Sequence, residues 1–565
     1  MSKKILIIGA VAGGASTAAR LRRLDESAEI ILIERGPYPS FSNCCLPYFL
    51  GGEIEDSKAL LLMSPEKFKK QYNIEVRVEN EALEINAEEK KVKIKDLKNN
   101  KEYFESYDKL VLATGADAVL PRSIKGIEGE NVFPVKTVPH VEKIDQFIRE
   151  KNVKDALVIG GGFIGLEVME NLKNRGLNVS LVEGQKQVMM PLDYEMAQIL
   201  QKYILDENIN LIVNDQVKEI EEDKVILQSG RQVKAQLVIA ALGVKPNTKL
   251  AEGCGIELTE RGSIKVNHNY QTSKEDIYAL GDVIESHNFI TGKNERLALA
   301  GPAQRQARAV ADHIYNRNHN NKGVVRASAV KIFDLNVASV GLNERECLEN
   351  KINYKYSFVI PSDRVGLMKK ASPIFFKLIF EYPSGKILGA QAISKGMAVK
   401  RIDVISTLIQ KNGSLEDLKE LELCYAPPYG SAKDVVNQAA LVGLNLLYEE
   451  FKQVPLTKVR ELVENHECII DVREKVEFEA SHLIGAKNIP LSELRERLEE
   501  IPKDKKVYLH CRSSQRSYNA LKCLQGHGYK EVYNIAGSFL GISLYEYYQD
   551  KVLGREKILT DYNFN

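Results

Sequence analysis

KKILIIGAVAGG, Lys3–Gly14, runs a continuous apolar strand into a glycine turn and then into a helix through Ala15 to Arg23. This is how a βα dinucleotide-binding unit opens: one glycine makes the tight turn, one lets the backbone approach a pyrophosphate, and one lets helix and strand pack closely. The G-x-G-x-x-G positions hold Gly9, Val11 and Gly14, so the middle glycine is missing, while Ala12 and Gly13 keep the turn small. A second apolar strand, Ile30–Ile33, ends in Glu34, twenty residues past Gly14, where a carboxylate would hold a pair of ribose hydroxyls.

Outward from this unit, SFSNCCLPYFLGG (Ser40–Gly52) places a thiol just after the second strand. A thiolate is both a nucleophile and a two-electron partner, which makes Cys44 the candidate redox group. Cys45 reads as a small, partly buried residue. YDKLVLATG (Tyr107–Gly115) is a further strand, closing on Ala113, Thr114 and Gly115, of the kind that passes behind a flavin's adenosine. ALVIGGGFIG (Ala156–Gly165) then repeats the opening with all three glycines, Gly160, Gly162 and Gly165, and its next strand ends at Glu183, eighteen residues on. A carboxylate there accepts ribose hydroxyls and repels a 2′-phosphate, so NADH is preferred; Lys186 nearby leaves NADPH open. DIYALGD (Asp276–Asp282) delivers Gly281 and Asp282 to a turn where the carboxylate can hold a flavin ribityl chain. Two fingerprints with a reactive cysteine between them argue for one bound flavin and one visiting nicotinamide.

Length and composition set the frame. At 565 residues the chain is expected to hold three or four domains of roughly 100–200 residues. Lys plus Arg number 78 against 77 Asp plus Glu, a net charge of +1, so no global field argues for nucleic acid or an acidic membrane surface. No apolar run approaches about 18 residues, and the first apolar segment begins at Ile5 as a strand, which leads us to expect a cytoplasmic protein. The eight cysteines show no CxxC spacing and no Cys/His ligand pattern, so no metal site is expected.

The assembly ATG, GGGFIGLE and YALGD, in that order, resembles the two-dinucleotide flavoprotein disulfide reductases over about residues 1–447. SFSNCCLPY is similar to the cysteine motif of the single-cysteine coenzyme A-disulfide reductases within that superfamily. The resemblance implies FAD as bound cofactor, NADH as reductant, and Cys44 cycling as a mixed disulfide with a substrate sulfur. It implies coenzyme A as a bound ligand, held by Ser16, Arg20, Arg23, Ser40 and Asn43. It also implies a layout: an FAD-binding domain from 1–152 and 246–322, a nucleotide domain at 153–245 and a dimerisation domain at 323–447. The strand-like runs VKIFDLNVASVG, FFKLIF and ILGAQAIS, followed by helical ones, suit an α+β dimerisation domain and hence a homodimer. CYAPPYGSAK (Cys424–Lys433) matches the family's loop that reaches the partner's active site, where Tyr425 would sit near the Cys44 sulfur as proton donor. One departure matters: disulfide-reducing members carry a doubled tyrosine in the stretch aligned with Arg364–Pro373, and this chain reads RVGLMKKASP, with Leu367 and Met368. That favours a smaller or better leaving group over coenzyme A disulfide.

After a connector at 448–455, CIIDVR (Cys468–Arg473) and SHLIGAKNIP (Ser481–Pro490) precede a strand that runs into Cys511-Arg-Ser-Ser-Gln-Arg516. A strand-to-helix turn beginning with Cys can aim backbone N–H groups at the sulfur and so stabilise a thiolate or a persulfide anion, with Arg512 and Arg516 adding positive charge. These residues resemble a rhodanese domain, α/β in class, placed at 456–565, in which Cys511 carries a sulfane sulfur; His482 and His510 read as structural. The fold class expected overall is α/β: two Rossmann-like dinucleotide domains, the α+β dimerisation domain and the rhodanese domain. The function expected is an FAD-dependent, NADH-using reductase of persulfides or polysulfides, coenzyme A persulfide included, acting through Cys44 and coupled to sulfur transfer at Cys511. The alternatives are a coenzyme A-disulfide reductase with an accessory rhodanese domain, and a sulfur-relay or redox-sensing module. The expected partners are small sulfur substrates and a second copy of the chain, without nucleic acid or membrane.

Overall fold

The structure, a computed structural model, describes residues 2–564. It divides into two compact units, one formed by residues up to 184 with 215–324, the other by 185–214 with 325 onward.

In the first unit a parallel sheet takes the order Ile277–Ala279, Lys109–Leu112, Lys4–Ile8, Glu29–Glu34, Glu75–Val78. Its central strands are buried on both faces, with Ile5, Leu6, Ile7 and Leu110 to Leu112 fully enclosed. That is why they read as continuous apolar runs rather than as an alternation. Each such side chain contributes about 1.5–3 kcal/mol by leaving water, and together they fix the sheet. The helix Ala12–Leu24 lies in the crossover from Lys4–Ile8 to Glu29–Glu34, with Ala15, Ala18 and Leu21 buried. A second parallel arrangement joins Asn178–Glu183, Asp155–Ile159, Leu237–Ala240 and Val132–Phe133, with helix Phe163–Asn174 in its first crossover. The two glycine turns therefore stand at the carboxyl ends of equivalent strands, where open α/β sheets bind nucleotides.

In the second unit an antiparallel sheet runs Ser328–Ile332, Leu335–Gly341, Ile387–Ser394, Ile374–Glu381, Tyr354–Val359. Lys377, fully buried in its fourth strand, meets Asp193 at 2.9 Å together with Glu195 and Glu344. These three carboxylates have the spacing of a metal site, and a lysine ammonium occupies their centre. A parallel sheet follows in the order Lys452–Val454, Val532–Ile535, Val507–His510, Cys468–Asp471, Lys487–Asn488. Lys452–Val454 falls inside the expected connector yet is the edge strand of this sheet; three residues are too few to show a period in sequence. Past Tyr547 the chain also contributes to structure, with Ile558 and Leu559 buried and the Thr560 amide donating to the His482 carbonyl. Among the described residues no helix is long and apolar enough to cross a membrane.

Candidate active site

The two nucleotide turns repeat the same contacts. Gly9 has φ +99°, and a Cβ there would lie 2.2 Å from the Ala113 carbonyl oxygen; a Cβ on Gly14 would lie 1.8 Å from that of Gly9. Gly160 and Gly165 are equally confined, at 2.4 Å from the Ala241 oxygen and 1.9 Å from the Gly160 oxygen. Only glycine fits at these four positions. Glu34 Oε2 accepts from the Ala10 amide at 2.9 Å, and Glu183 Oε2 from the Gly161 amide at 2.7 Å, so each acid is tied to the residue after its first glycine. Burial pushes the Glu34 carboxyl up, against the two amides of Ala10 and Gly36 that favour its charged form. Val11, in the place of the missing glycine, is the N-cap of helix Ala12–Leu24. Above Gly162 and Gly115 the space is open, with nothing within 4 Å of a Cβ. Close-packed turns, an open backbone at Gly115 and Gly162, and a carboxylate at each strand end suit two dinucleotides, so the residues present fit FAD and NADH. The Thr114 turn is anchored by Asn247, whose carbonyl accepts from Thr114 Oγ1 at 2.8 Å; sequence reading missed this residue because it lies 133 positions away.

Cys44 stands on the single turn Asn43–Cys45, which runs into helix Leu46–Leu50, whose buried Leu46, Pro47 and Leu50 hold it down. Ser40, at φ +50°, fastens the segment to the first glycine turn by donating its amide to the Ala10 carbonyl at 2.8 Å. Cys44 is exposed as a residue. Its thiol is nevertheless pushed up, first by partial burial, then by the Glu167 carboxylate, with Cys45 and Asp282 acting in the same sense and Lys136 opposing them. Lys136 Nζ lies 3.4 Å from Asp282 Oδ2. Glu167 comes from helix Phe163–Asn174, and its Oε1 lies 3.5 Å from the Tyr48 hydroxyl. Neither Lys136 nor Glu167 carried a signal near the cysteine motif.

The candidate coenzyme A residues are partly engaged. Ser16 Oγ donates to Gln304 Oε1 at 2.7 Å, and Arg20 Nε donates to Asp312 Oδ1 at 2.8 Å, so the Arg20 guanidinium already has a carboxylate; Arg23 is exposed. Tyr425 is 51% exposed on the loop after Leu421. Leu367 is 95% exposed on the neighbouring loop, where the Val365 amide donates to the Pro427 carbonyl at 3.4 Å.

Cys511 follows the strand Val507–His510 and is only 1% exposed. Ser514 turns the chain in the left-handed region, φ +75°, ahead of helix Gln515–Gly526. Hydroxyls surround the sulfur: Ser517 Oγ at 3.6 Å and Ser538 Oγ at 4.0 Å donate toward Sγ, and Ser538 Oγ also accepts from the Cys511 amide at 3.2 Å. Arg516, expected to add positive charge here, places both terminal nitrogens on Glu477 at 2.6 and 2.8 Å and also acts on Cys511. Its charge is therefore shared, and Glu477 is held below the usual carboxylate range by that fork. Beneath the loop, Asp471 and Arg473 form a buried pair at 2.6 Å. His510 is fully enclosed, with Nε2 3.7 Å from Asp471 Oδ2, and burial pushes its imidazole down.

Residues 3–307 match the pyridine nucleotide-disulphide oxidoreductase family, 327–435 its dimerisation domain, and 456–544 the rhodanese-like domain. Coenzyme A disulfide reductase of Staphylococcus epidermidis is 37% identical over 435 residues, covering 77% of this chain and 98% of that protein. The solved structure of reduced Bacillus anthracis CoADR-RHD is 44% identical with a TM-score of 0.94, covering 98% of this chain and 99% of that one. An NAD-dependent persulfide reductase from A. fulgidus is 35% identical with a TM-score of 0.90, covering 95% and 99%. By these matches, and by the paired nucleotide turns that agree with them, the chain belongs to the pyridine nucleotide-disulphide oxidoreductase family and carries a rhodanese-like domain at residues 456–544.

Proposed function

We propose that this protein uses NADH to reduce sulfane sulfur, in persulfides, polysulfides or coenzyme A persulfide, through Cys44, and that Cys511 takes up or supplies that sulfur. The observation that carries the reading is the pairing in one chain of an open thiol beside two nucleotide turns with an enclosed, hydroxyl-lined cysteine on a rhodanese-like loop. The persulfide reductase from A. fulgidus supports it, since the likeness spans both parts, whereas the staphylococcal coenzyme A disulfide reductase covers 77% of this chain.

Gly9, Gly14, Glu34, Thr114, Gly115 and Asp282 would hold FAD, and Gly160, Gly162, Gly165 and Glu183 would hold NADH. Bound FAD supplies the two-electron step between nicotinamide and thiol. The protein's own part is to bring a sulfur substrate to Cys44, whose thiolate attacks it and forms a mixed disulfide or persulfide while the other sulfur leaves. Tyr425, exposed on its loop, would come from a second copy of the chain to protonate that leaving sulfur; the match to the dimerisation domain supports this arrangement. Ser16, Arg23, Ser40 and Asn43 would bind a coenzyme A carrier, with Arg20 taking part only by sharing itself with Asp312. At Cys511, Ser517 and Ser538 would stabilise a terminal persulfide anion by hydrogen bonding.

The second reading, reduction of coenzyme A disulfide with the rhodanese-like domain as accessory, is favoured by the 37% identity to an enzyme of that name. Comparing kcat/KM for coenzyme A persulfide and coenzyme A disulfide separates the two. Cys44→Ser is expected to abolish NADH oxidation driven by either substrate, and undiminished turnover would remove Cys44 from the reaction.

A further inference from the structure

One side of the Cys511 site is closed by the turn that opens helix Ser538–Leu553. There Ser538 Oγ accepts from the Cys511 amide at 3.2 Å and lies 4.0 Å from Sγ, while the Phe539 amide donates to the Cys511 carbonyl at 2.9 Å. Two successive residues of this turn sit in the left-handed region, Gly537 at φ +70° and Ser538 at φ +48°, so its shape has to be held by what packs on it. What packs on it is Leu456 and Phe358. A Cβ on Gly537 would lie 2.7 Å from Phe358 Cε1 and 3.2 Å from Leu456 Cδ1, so the edge of the phenyl ring rests on the glycine. Phe358 is 3% exposed and belongs to strand Tyr354–Val359 of the antiparallel sheet, outside the rhodanese-like domain. It is fixed in turn: its partner across the strands is Lys377, whose ammonium lies 4.2 Å from the centre of the Tyr356 ring, two residues back on the same face. Further contacts hold the same junction. Gln453 Nε2 donates to the Tyr356 carbonyl at 3.3 Å, Asn445 Nδ2 donates to the Tyr518 hydroxyl at 3.1 Å, and Phe451 meets Tyr518 edge to face with ring centres 5.2 Å apart. Tyr518 stands on helix Gln515–Gly526, which leaves the Cys511 loop. Both flanks of the sulfur loop are therefore seated on residues that precede the rhodanese-like domain.

We propose that Phe358 is a positioning residue for sulfur transfer: by seating Gly537 it holds Ser538 against Cys511, so the sulfur loop takes its working form only on the antiparallel sheet. The inference rests on Cys511 carrying sulfane sulfur, as in the proposed function. In the transfer, the Cys511 thiolate attacks the outer sulfur of a sulfane donor. A Cys511–S bond forms as the donor's S–S bond breaks, and the bonding pair leaves on the donor's remaining half, as sulfite from thiosulfate or as a thiolate from a persulfide. An acceptor nucleophile then attacks the outer sulfur and Cys511 departs with the bonding pair as a thiolate, so no oxidant or reductant is consumed. In both steps charge develops on sulfur beside Ser538. At 4.0 Å the Ser538–Sγ contact is already long, and a small retreat of the turn removes it.

The test uses the full-length holoenzyme, with thiosulfate as sulfur donor and cyanide as acceptor. Phe358→Ala is expected to lower kcat for this transfer about tenfold while both KM values and the NADH-driven reduction of small disulfides stay within about twofold of wild type. Alkylation of Cys511 by iodoacetamide against pH, with the label located by peptide fragmentation, adds a readout that a loss of stability alone would not move. Its midpoint should rise by about 0.5 on the pH scale as the Ser538 donor withdraws. The substitution leaves the charged groups around the loop in place: Arg512, Arg516 with Glu477, and Asp471 with Arg473 beside His510. A wild-type kcat, or a wild-type midpoint, in a folded Phe358→Ala overturns the proposal. Should that variant fail to fold, Phe358→Leu, which withdraws only the ring edge, is expected to lower kcat about threefold and to raise the midpoint in the same sense, and wild-type values in it overturn the proposal equally. Failure of the underlying reading shows differently: transfer at the wild-type rate in Cys511→Ser would end the role of Cys511, and that of Phe358 in transfer with it, even where the Phe358→Ala midpoint has moved.

Discussion

Cys44 stands exposed on a single turn, with the carboxylates of Glu167 and Asp282 and the ammonium of Lys136 around it, whereas Cys511 is enclosed at the end of a central strand among serine hydroxyls. The first is an open position at the carboxyl edge of a nucleotide-binding sheet, where a foreign sulfur can approach; the second is a buried sulfur flanked by two hydroxyls. One element serves two purposes through different surroundings. Partial burial, and after it the carboxylates of Glu167 and Asp282, push the Cys44 thiol up, so its thiolate is left reactive rather than stabilised. Hydroxyls lying 3.6 and 4.0 Å from the Cys511 sulfur can follow an extra sulfur atom without opposing its charge.

The largest way to sharpen this contrast is to remove each sulfur separately. Cys511→Ser is expected to lower sulfur transfer to a thiol acceptor at least about a thousandfold while NADH-driven reduction of small disulfides continues. Cys44→Ser should show the reverse, and steady-state assays of both activities on both variants check it. A difference in stability should follow. Arg473→Met leaves Asp471 buried without its partner, and is expected to lower the stability of the C-terminal domain by about 3–5 kcal/mol in urea unfolding. No such loss is expected near Cys44, where the Lys136–Asp282 pair is partly exposed and is worth at most about 1 kcal/mol. The smallest effect is expected from Lys136→Met. It removes a cation that favours the Cys44 thiolate, so the Cys44 alkylation midpoint should rise and labelling at pH 7 should slow severalfold.

The contrast also shows what a sequence can carry. Both nucleotide turns, their acids Glu34 and Glu183, and the loops around Cys44 and Cys511 lie within short contiguous stretches whose backbone demands admit few residues, so they are legible as motifs. The groups that adjust the two sulfurs come from elsewhere. Glu167 reaches Tyr48, four residues past Cys44, because helix Phe163–Asn174 folds against Leu46–Leu50, and Glu477 reaches Arg516 across 39 positions. Asn247 supports the Thr114 turn across 133. Glu167 closes the motif GGGFIGLE, but nothing in that motif points to the cysteine segment, and Glu477 and Asn247 have no local spacing to reveal them. Arg20 was legible as a helix-surface cation, but its pairing with Asp312 depends on helix Ala300–Ile314 packing beside it. The Lys377 cluster was hidden for a similar reason, since its three acids are gathered from residues 193, 195 and 344.

The most direct test of the account is to incubate the oxidised, full-length protein with one equivalent of coenzyme A persulfide, divide it, add NADH to one half, and map every cysteine by mass spectrometry. The account predicts a substrate-derived sulfur adduct on Cys44 that disappears on adding NADH. An adduct confined to Cys511, or one on Cys44 that NADH leaves intact, would contradict it.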